Sequence, residues 1–240
     1  MATPSRPVYL VYSSQLENVK EHLVARSYGQ YCGLARALEV VGDRWNLLIV
    51  RQLLIAPARY QELLDGLPGI ATNLLADRLR DLEAAGVIER RLAEGSRAIT
   101  YALTTWGAQL REPIEGLIRW STPLMIRGPE GDSFRADGLL VALPALFRGR
   151  VPAHRPATVG ITVNGDADRR VVQMRATRSG IEASPHDDRQ LDAVLTADAQ
   201  IILGLATGLL SLDDVLGLVD IQGDEAAVRA IFSAPVDPFP

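Results

Sequence analysis

The chain has a single cysteine, Cys32, among 240 residues. An internal disulfide is therefore excluded, and so is a cysteine-based zinc site. The three histidines, His22, His154 and His186, stand far apart and show no ligand spacing. No metal or other cofactor is expected. Lysine is almost missing: Lys20 stands alone, and arginine carries the remaining positive charge. This bias is compositional and receives no functional reading. No apolar run approaches the roughly eighteen residues that mark a membrane span. Val8 to Tyr12 is apolar but short, and no small-residue cleavage site follows it. A cytosolic protein without a signal peptide is expected. No nucleophile–base pair, phosphate loop or carboxylate constellation stands out, so no catalytic residue is nominated.

What is present suits two ordinary domains with substantial cores, since 48% of the residues are hydrophobic. The net charge of −4 argues mildly against a nucleic-acid partner, but it is unevenly spread. Residues 31–125 hold eleven arginines against eleven carboxylates, whereas residues 126–240 hold eleven against sixteen. Phosphate attraction belongs to one face of a molecule, and a neutral domain with clustered arginines retains it.

After a leader at 1–27, Leu34, Leu38 and Val41 recur at helical spacing up to Gly42. Asp43 is positioned to cap a second helix lined by Trp45, Leu48, Ile49 and Leu53, which Pro57 ends. Tyr60, Leu63 and Leu64 mark a short third helix before the turn Gly66-Leu67-Pro68-Gly69. A fourth helix is predicted over 72–85, with Leu75, Leu79 and Leu82 as its buried stripe and Gly86 as its stop. Val87, Ile88 and Leu92 suggest a strand, and Ile99, Tyr101 and Leu103 alternate in a second, around a tip at 93–97. A last helix is predicted from Thr104 or Thr105 to Trp120, with Pro113 as a potential kink.

Two short helices, a turn and then a charged hairpin make a winged helix-turn-helix over 28–125. A helix that reads a DNA groove presents short polar or guanidinium groups outward and packs its back. The 72–85 helix divides in that way. Thr72 and Asn73 lie at its start, followed by Ala76, Asp77 and Arg80 on the outer side. Arg78 is nearer the core flank, suited to a phosphate or to an internal salt bridge. Asp77 repels phosphate unless it pairs with an arginine or accepts from a cytosine amino group. Arg90, Arg91 and Arg97 belong to the wing and suit backbone or minor-groove contact. The competing reading is an ordinary solvated amphipathic helix. Double-stranded DNA is the expected partner.

Residues 31–120 resemble the HxlR-type winged-helix regulators. The resemblance rests on YCGLARALEVVGDRWNLLIVRQLL, RYQELLDGLPGIATNLLADRLRDLEAAGVIERR, ITYALTTWGAQL and the terminal LIRW. It implies a homodimer whose first and last helices pack together and whose two recognition helices address a pseudo-palindromic operator. The family's usual proline after the cysteine is Gly33 here, and its proline-rich wing tip is Gly95-Ser96-Arg97. The resemblance also implies a redox or electrophile sensor role for Cys32, which precedes a helix with Arg36 one turn on. The residue itself reads first as a small buried apolar one.

A polar linker is expected at 126–137, followed by a domain over 138–240 with an α+β pattern. Leu139 to Phe147 reads as helix. Thr158 to Val163 and Arg170 to Arg175 read as strands joined through Asn164-Gly165-Asp166. Further strands are predicted at 180–183 and 193–196, helices at 197–205 and 212–218, a strand or turn at 220–224, and a closing helix at 226–232. His186, beside Asp187 and Asp188, reads as a solvated loop. The stretch from Val194 to Ile231 resembles the C-terminal part of the sterol-carrier-protein fold, through Gly204 and Gly208, the Ser211-Leu212-Asp213-Asp214 helix entry and the Val219-to-Asp224 strand ending. That resemblance implies a mixed sheet with helices around an apolar cavity for a lipid-like or other hydrophobic molecule. Ile201, Leu205, Leu209 and Leu216 are its candidate lining residues. A filled core with a purely structural or dimerising role fits the same leucines.

Overall fold

The computed structural model describes residues 27–92, 98–128, 131–132, 134–148, 156–166, 170–177 and 180–232. Residues 1–26 of the expected leader and the wing tip at 93–97, with Arg97, lie outside the described residues. The chain divides into two units, Met1–Arg111 and Glu112–Pro240. The division falls ahead of the linker expected at 126–137. Among the described residues no helix is long and apolar enough to cross a membrane.

The first unit contains α1 (Gly33–Val41), α2 (Asn46–Ile55), α3 (Tyr60–Gly66) and α4 (Thr72–Ala84). The antiparallel pair β1 (Ile88–Leu92) and β2 (Ile99–Leu103) follows, then α5 (Thr105–Ala108). Ala58 adds a one-residue bridge to Tyr101, so the hairpin has a rudimentary third strand. Ile49, Val50, Leu53, Leu63, Leu75, Leu79, Leu82, Val87 and Ile88 are buried and form the core. The expected stripe on α1 is different. Val41 is buried, but Leu34 is 69% and Leu38 is 41% exposed. Asp43 does not cap α2 with its side chain: Trp45 holds the N-cap position, and the Asp43 backbone carbonyl accepts from Asn46 N at 3.0 Å.

Helix α4 ends in a Schellman motif. Val87 N donates to Leu82 O and Gly86 N to Glu83 O, both at 2.9 Å, with Gly86 at φ +72°. This exit turns the chain directly into β1. The helix expected from Thr104 or Thr105 to Trp120 is two helices, α5 and α6 (Arg111–Ser121), interrupted at Gln109-Leu110. Pro113 therefore falls in the first turn of α6, where its missing N–H costs no ladder bond, and it marks no kink.

The second unit opens with α6, two 3-10 turns (Thr122–Arg127 and Ala136–Gly138) and α7 (Leu139–Leu146). Arg148 Nη2 pairs with Glu112 at 2.8 Å, and Arg119 Nη1 donates to Ala145 O at 3.4 Å, tying α6 to the α7 segment. Five strands follow: β3 (Ala157–Val163), β4 (Val172–Thr177), β5 (Gly180–Pro185), β6 (Ala193–Ala197) and β7 (Asp220–Gly223). They form one mixed sheet in the order β5-β4-β3-β6-β7, in which only β3 and β6 run parallel. Between β6 and β7 lie α8 (Ala199–Thr207), α9 (Leu212–Val215) and a 3-10 turn; α10 (Glu225–Phe232) closes the described chain. Helices α7 and α10 pack on the sheet, α7 against β5 and α10 against β3, β4 and β6. Their ends meet through Phe147 and Phe232, whose rings stand edge to face at 5.7 Å. Val159, Ile161, Val163, Met174 and Leu195 supply the sheet's side of this core. The whole chain is α+β, as its element order implied.

Candidate nucleic-acid interface

Three local devices hold α4. Glu62 reaches back to the Arg59 backbone N–H at 2.6 Å and caps α3. Tyr60, the first residue of α3, donates its hydroxyl to Thr72 O at 2.7 Å, fixing the start of α4. At the far end, Thr104 Oγ1 donates to Gly86 O at 2.7 Å and accepts from Gly107 N at 3.0 Å. One hydroxyl thus joins the α4 exit, the return from the hairpin and the start of α5. Gly107 lies against this junction so closely that a Cβ there would stand 1.9 Å from the Val87 carbonyl oxygen.

With its back packed, α4 presents Thr72, Asn73 and Arg80 as exposed residues, and Ala76 and Asp77 as half-buried ones. No side chain caps its N-terminus, where Ala71 holds the N-cap position. Arg80 pairs with Asp77 one turn earlier. Arg78 points elsewhere. Its side chain is only 12% exposed and is clamped between Asp43, to which it donates, and Asp81 at 3.3 Å. It therefore takes the internal salt bridge, and the outer face of α4 is read without it.

The two described wing arginines part company. Residues alternate along β1, so Arg90 and Arg91 face opposite sides of the hairpin. Arg90 turns to α4 and pairs with Glu83 at 2.7 Å, an arrangement that holds its guanidinium above the ordinary arginine range. Arg91 Nε bonds its strand neighbour Glu89 at 2.7 Å on the other side. The sequence reading named the cations and missed Glu83 and Glu89. Glu89 was legible, since it precedes Arg91 by two on the strand; Glu83 was not, since its partner Arg90 lies seven residues on, beyond the α4 exit.

Cys32 is exposed, which overturns the reading of it as a small buried apolar residue. It holds the N-cap position of α1, and the backbone amides of Ala35 and Leu34 draw its thiol below the ordinary range.

In the second unit the four proposed lining residues do not share one interior. Ile201 and Leu205 are 8% and 1% exposed within the core, whereas Leu209 and Leu216 are 46% and 39% exposed. Gly208 accounts for Leu209: its left-handed φ of +73° ends α8 and turns Leu209 off the helix face, whereas Leu216 lies in the 3-10 turn that follows α9. His186 is also more engaged than expected. Its Nδ1 lies 3.1 Å from Oε1 of Gln173, a buried polar residue of β4. No cluster of three or more potential metal ligands occurs among the described residues.

Comparison with known proteins bears on the first part of the chain. Residues 40–127 match the family model for the HxlR-like helix-turn-helix. The HTH-type transcriptional regulator YodB of Bacillus subtilis is 34% identical over 86 residues, covering 35% of this chain and 77% of the relative. The uncharacterised HTH-type transcriptional regulator YvaP of the same organism is 34% identical over 88 residues, 36% of this chain and 82% of that protein. The solved reduced form of YodB aligns at a TM-score of 0.36 and 29% identity, over 41% of this chain and 99% of that one.

Proposed function

The chain belongs to the HxlR-like helix-turn-helix family through residues 40–127, and from that premise we propose a transcriptional regulator that binds a pseudo-palindromic operator as a homodimer. The outward face of α4, Thr72, Asn73, Ala76 and Arg80, enters the major groove, and the hairpin with Arg90 and Arg91 follows the adjacent backbone. The observation that carries this reading is the division of α4 into a leucine face at most 2% exposed and an outer face of short polar groups and arginine. The homodimer is supported by apolar side chains that stay exposed among the described residues: Leu34 and Leu38 on α1, and Leu117 and Trp120 on α6. The test is fluorescence anisotropy on DNA from upstream of the chain's own gene beside a scrambled duplex, with a salt series. Selective binding at two chains per duplex, weakening steeply with salt, is expected. Weak, equal, salt-insensitive binding to both duplexes would sink the reading.

Cys32 supports a second layer, the tuning of DNA binding by oxidants or electrophiles. Because its thiol is drawn down, the reactive thiolate persists to lower pH than in a free cysteine. The rate of iodoacetamide alkylation should therefore rise with pH through a midpoint below that of a cysteine-containing peptide. Diamide should release DNA from the wild type and not from Cys32→Ser. An ordinary midpoint together with unchanged DNA affinity after diamide would remove the sensor role.

The C-terminal unit is assigned a sterol-carrier-like fold that binds a hydrophobic effector. The mixed sheet under helices favours this. A ligand can shift DNA binding only by preferring one of two states of the dimer. Long-chain fatty acids at saturating concentration should raise the melting temperature of this unit by several degrees, since a ligand held at about 100 times its Kd adds roughly 2.7 kcal/mol. No shift with any apolar probe would leave the unit the dimer-supporting role alone.

A further inference from the structure

Every described arginine on the α4 and wing surface is held by a carboxylate of the same surface: Arg80 by Asp77, Arg90 by Glu83 and Arg91 by Glu89. Resting on the DNA-binding reading above, we propose that Asp77, Glu83 and Glu89 are specificity-determining residues that hold the DNA-contacting arginines in exchangeable pairs and so suppress binding to non-operator DNA.

The argument starts from what these pairs do for the fold. All six side chains are substantially exposed, from 29% at Glu83 to 73% at Arg80. Exposed pairs of this kind contribute little to stability. Arg78 provides the contrast: it is nearly buried and takes two carboxylates, Asp43 and Asp81, away from the outer face. One arginine thus braces the fold, and three are kept on the surface in partnerships that water and salt loosen.

Next comes the electrostatics of approach. Together the three pairs carry no net charge, so a phosphate backbone meets a neutral surface where the sequence alone suggests a basic one. An arginine that takes a phosphate must leave its carboxylate, and that carboxylate then stands beside the phosphates unpaired. On arbitrary DNA nothing offsets this repulsion. On the operator, the contacts of Thr72 and Asn73 to base edges offset it, and Asp77 itself can accept from a cytosine amino group. Affinity for arbitrary DNA is thereby lowered more than affinity for the operator. The effect raises the ratio that decides occupancy among many competing sites.

The chain has a reason to need such a device. Its cations are arginines, which stay charged and fork readily onto phosphate. Left unpaired, three of them spread over α4 and the two sides of the wing would bind any duplex.

The experiment uses the full-length chain with Asp77→Asn, Glu83→Gln and Glu89→Gln, singly and together. Each change keeps shape and removes charge. Binding is read on a scrambled duplex and on a duplex selected by the wild type from a randomised pool, at several salt concentrations. The triple variant should bind the scrambled duplex at least tenfold tighter, while binding to the selected duplex changes less. Its dependence of log K on log salt should steepen by about one unit for each arginine released. Melting curves should overlay the wild type. Arg80→Ala and Arg90→Ala run in parallel. If they leave binding untouched, the DNA-binding reading itself fails. If they weaken binding but the carboxylate variants leave scrambled-duplex affinity and salt slope unchanged, the DNA-binding reading stands and this inference is overturned.

Discussion

Gly107→Ala should lower the melting temperature of the N-terminal unit by roughly 10–20 °C, in line with a loss of about 3 kcal/mol. The added Cβ would sit 1.9 Å from the Val87 carbonyl oxygen and 2.9 Å from its carbon. Those atoms are backbone, so no side-chain rotation relieves the contact. Val87 cannot retreat freely either. Its carbonyl accepts from Thr104 N at 3.1 Å, and its own N–H closes the end of α4 on Leu82. Relief therefore opens the α4 exit or the hairpin return. Scanning calorimetry of the full chain reads the effect as a downward shift of one transition, with the C-terminal unit unmoved. A shift of less than about 2 °C would mean that the junction is softer than this geometry allows. DNA binding measured at 37 °C should fall with the fold, which separates this variant from those that touch only the outer face of α4.

Asn73→Ala and Arg80→Ala are expected to injure binding in two distinguishable ways. Asn73 is exposed in the first turn of α4, and an asparagine there can pair with adenine through two bonds. Its loss should cost about 1–3 kcal/mol on the operator, roughly five- to 150-fold, and almost nothing on scrambled DNA. Arg80, further along the same face, is a guanidinium on a longer stem. If it takes a phosphate, Arg80→Ala weakens both duplexes alike and reduces the salt slope by about one unit. Anisotropy titrations on both duplexes separate the outcomes. Equal losses on both duplexes for Asn73→Ala would remove it from the set of base-reading residues.

Much of this was legible in the sequence because it rests on local rules. Leu75, Leu79 and Leu82 announce the buried face of α4, and Gly86 announces its end; both stand as read. The strand and helix runs after residue 139 also lie within a few residues of their predicted places, since alternation and helical spacing are properties of short segments. What escaped the reading depends on pairs distant in sequence or on direction. The Arg78–Asp43 contact joins residues thirty-five apart. The outward turn of Leu209 needs the left-handed Gly208, and a run of leucines looks the same inside or outside. Leu34 and Leu38 show the same limit: helical spacing marks an apolar face but not whether the same chain covers it. The parallel neighbours β3 and β6 could not be inferred from order, because two strands intervene between them in the chain.

That parallel pairing sets a timetable for synthesis. Val159 on β3 aligns with Ala193 on β6, so one side of β3 waits for more than thirty further residues to be made. At about 5–20 residues per second the delay is on the order of seconds. The antiparallel partner β4 arrives sooner, and the helices and hairpin of the N-terminal unit rely on nearer contacts, which form faster. The growing chain therefore completes its DNA-reading unit while the central strand of the second sheet still lacks one neighbour. A chain that has emerged from the ribosome to shortly before residue 193 would carry a finished winged helix and an open, apolar strand edge, the point at which a chaperone has most to protect.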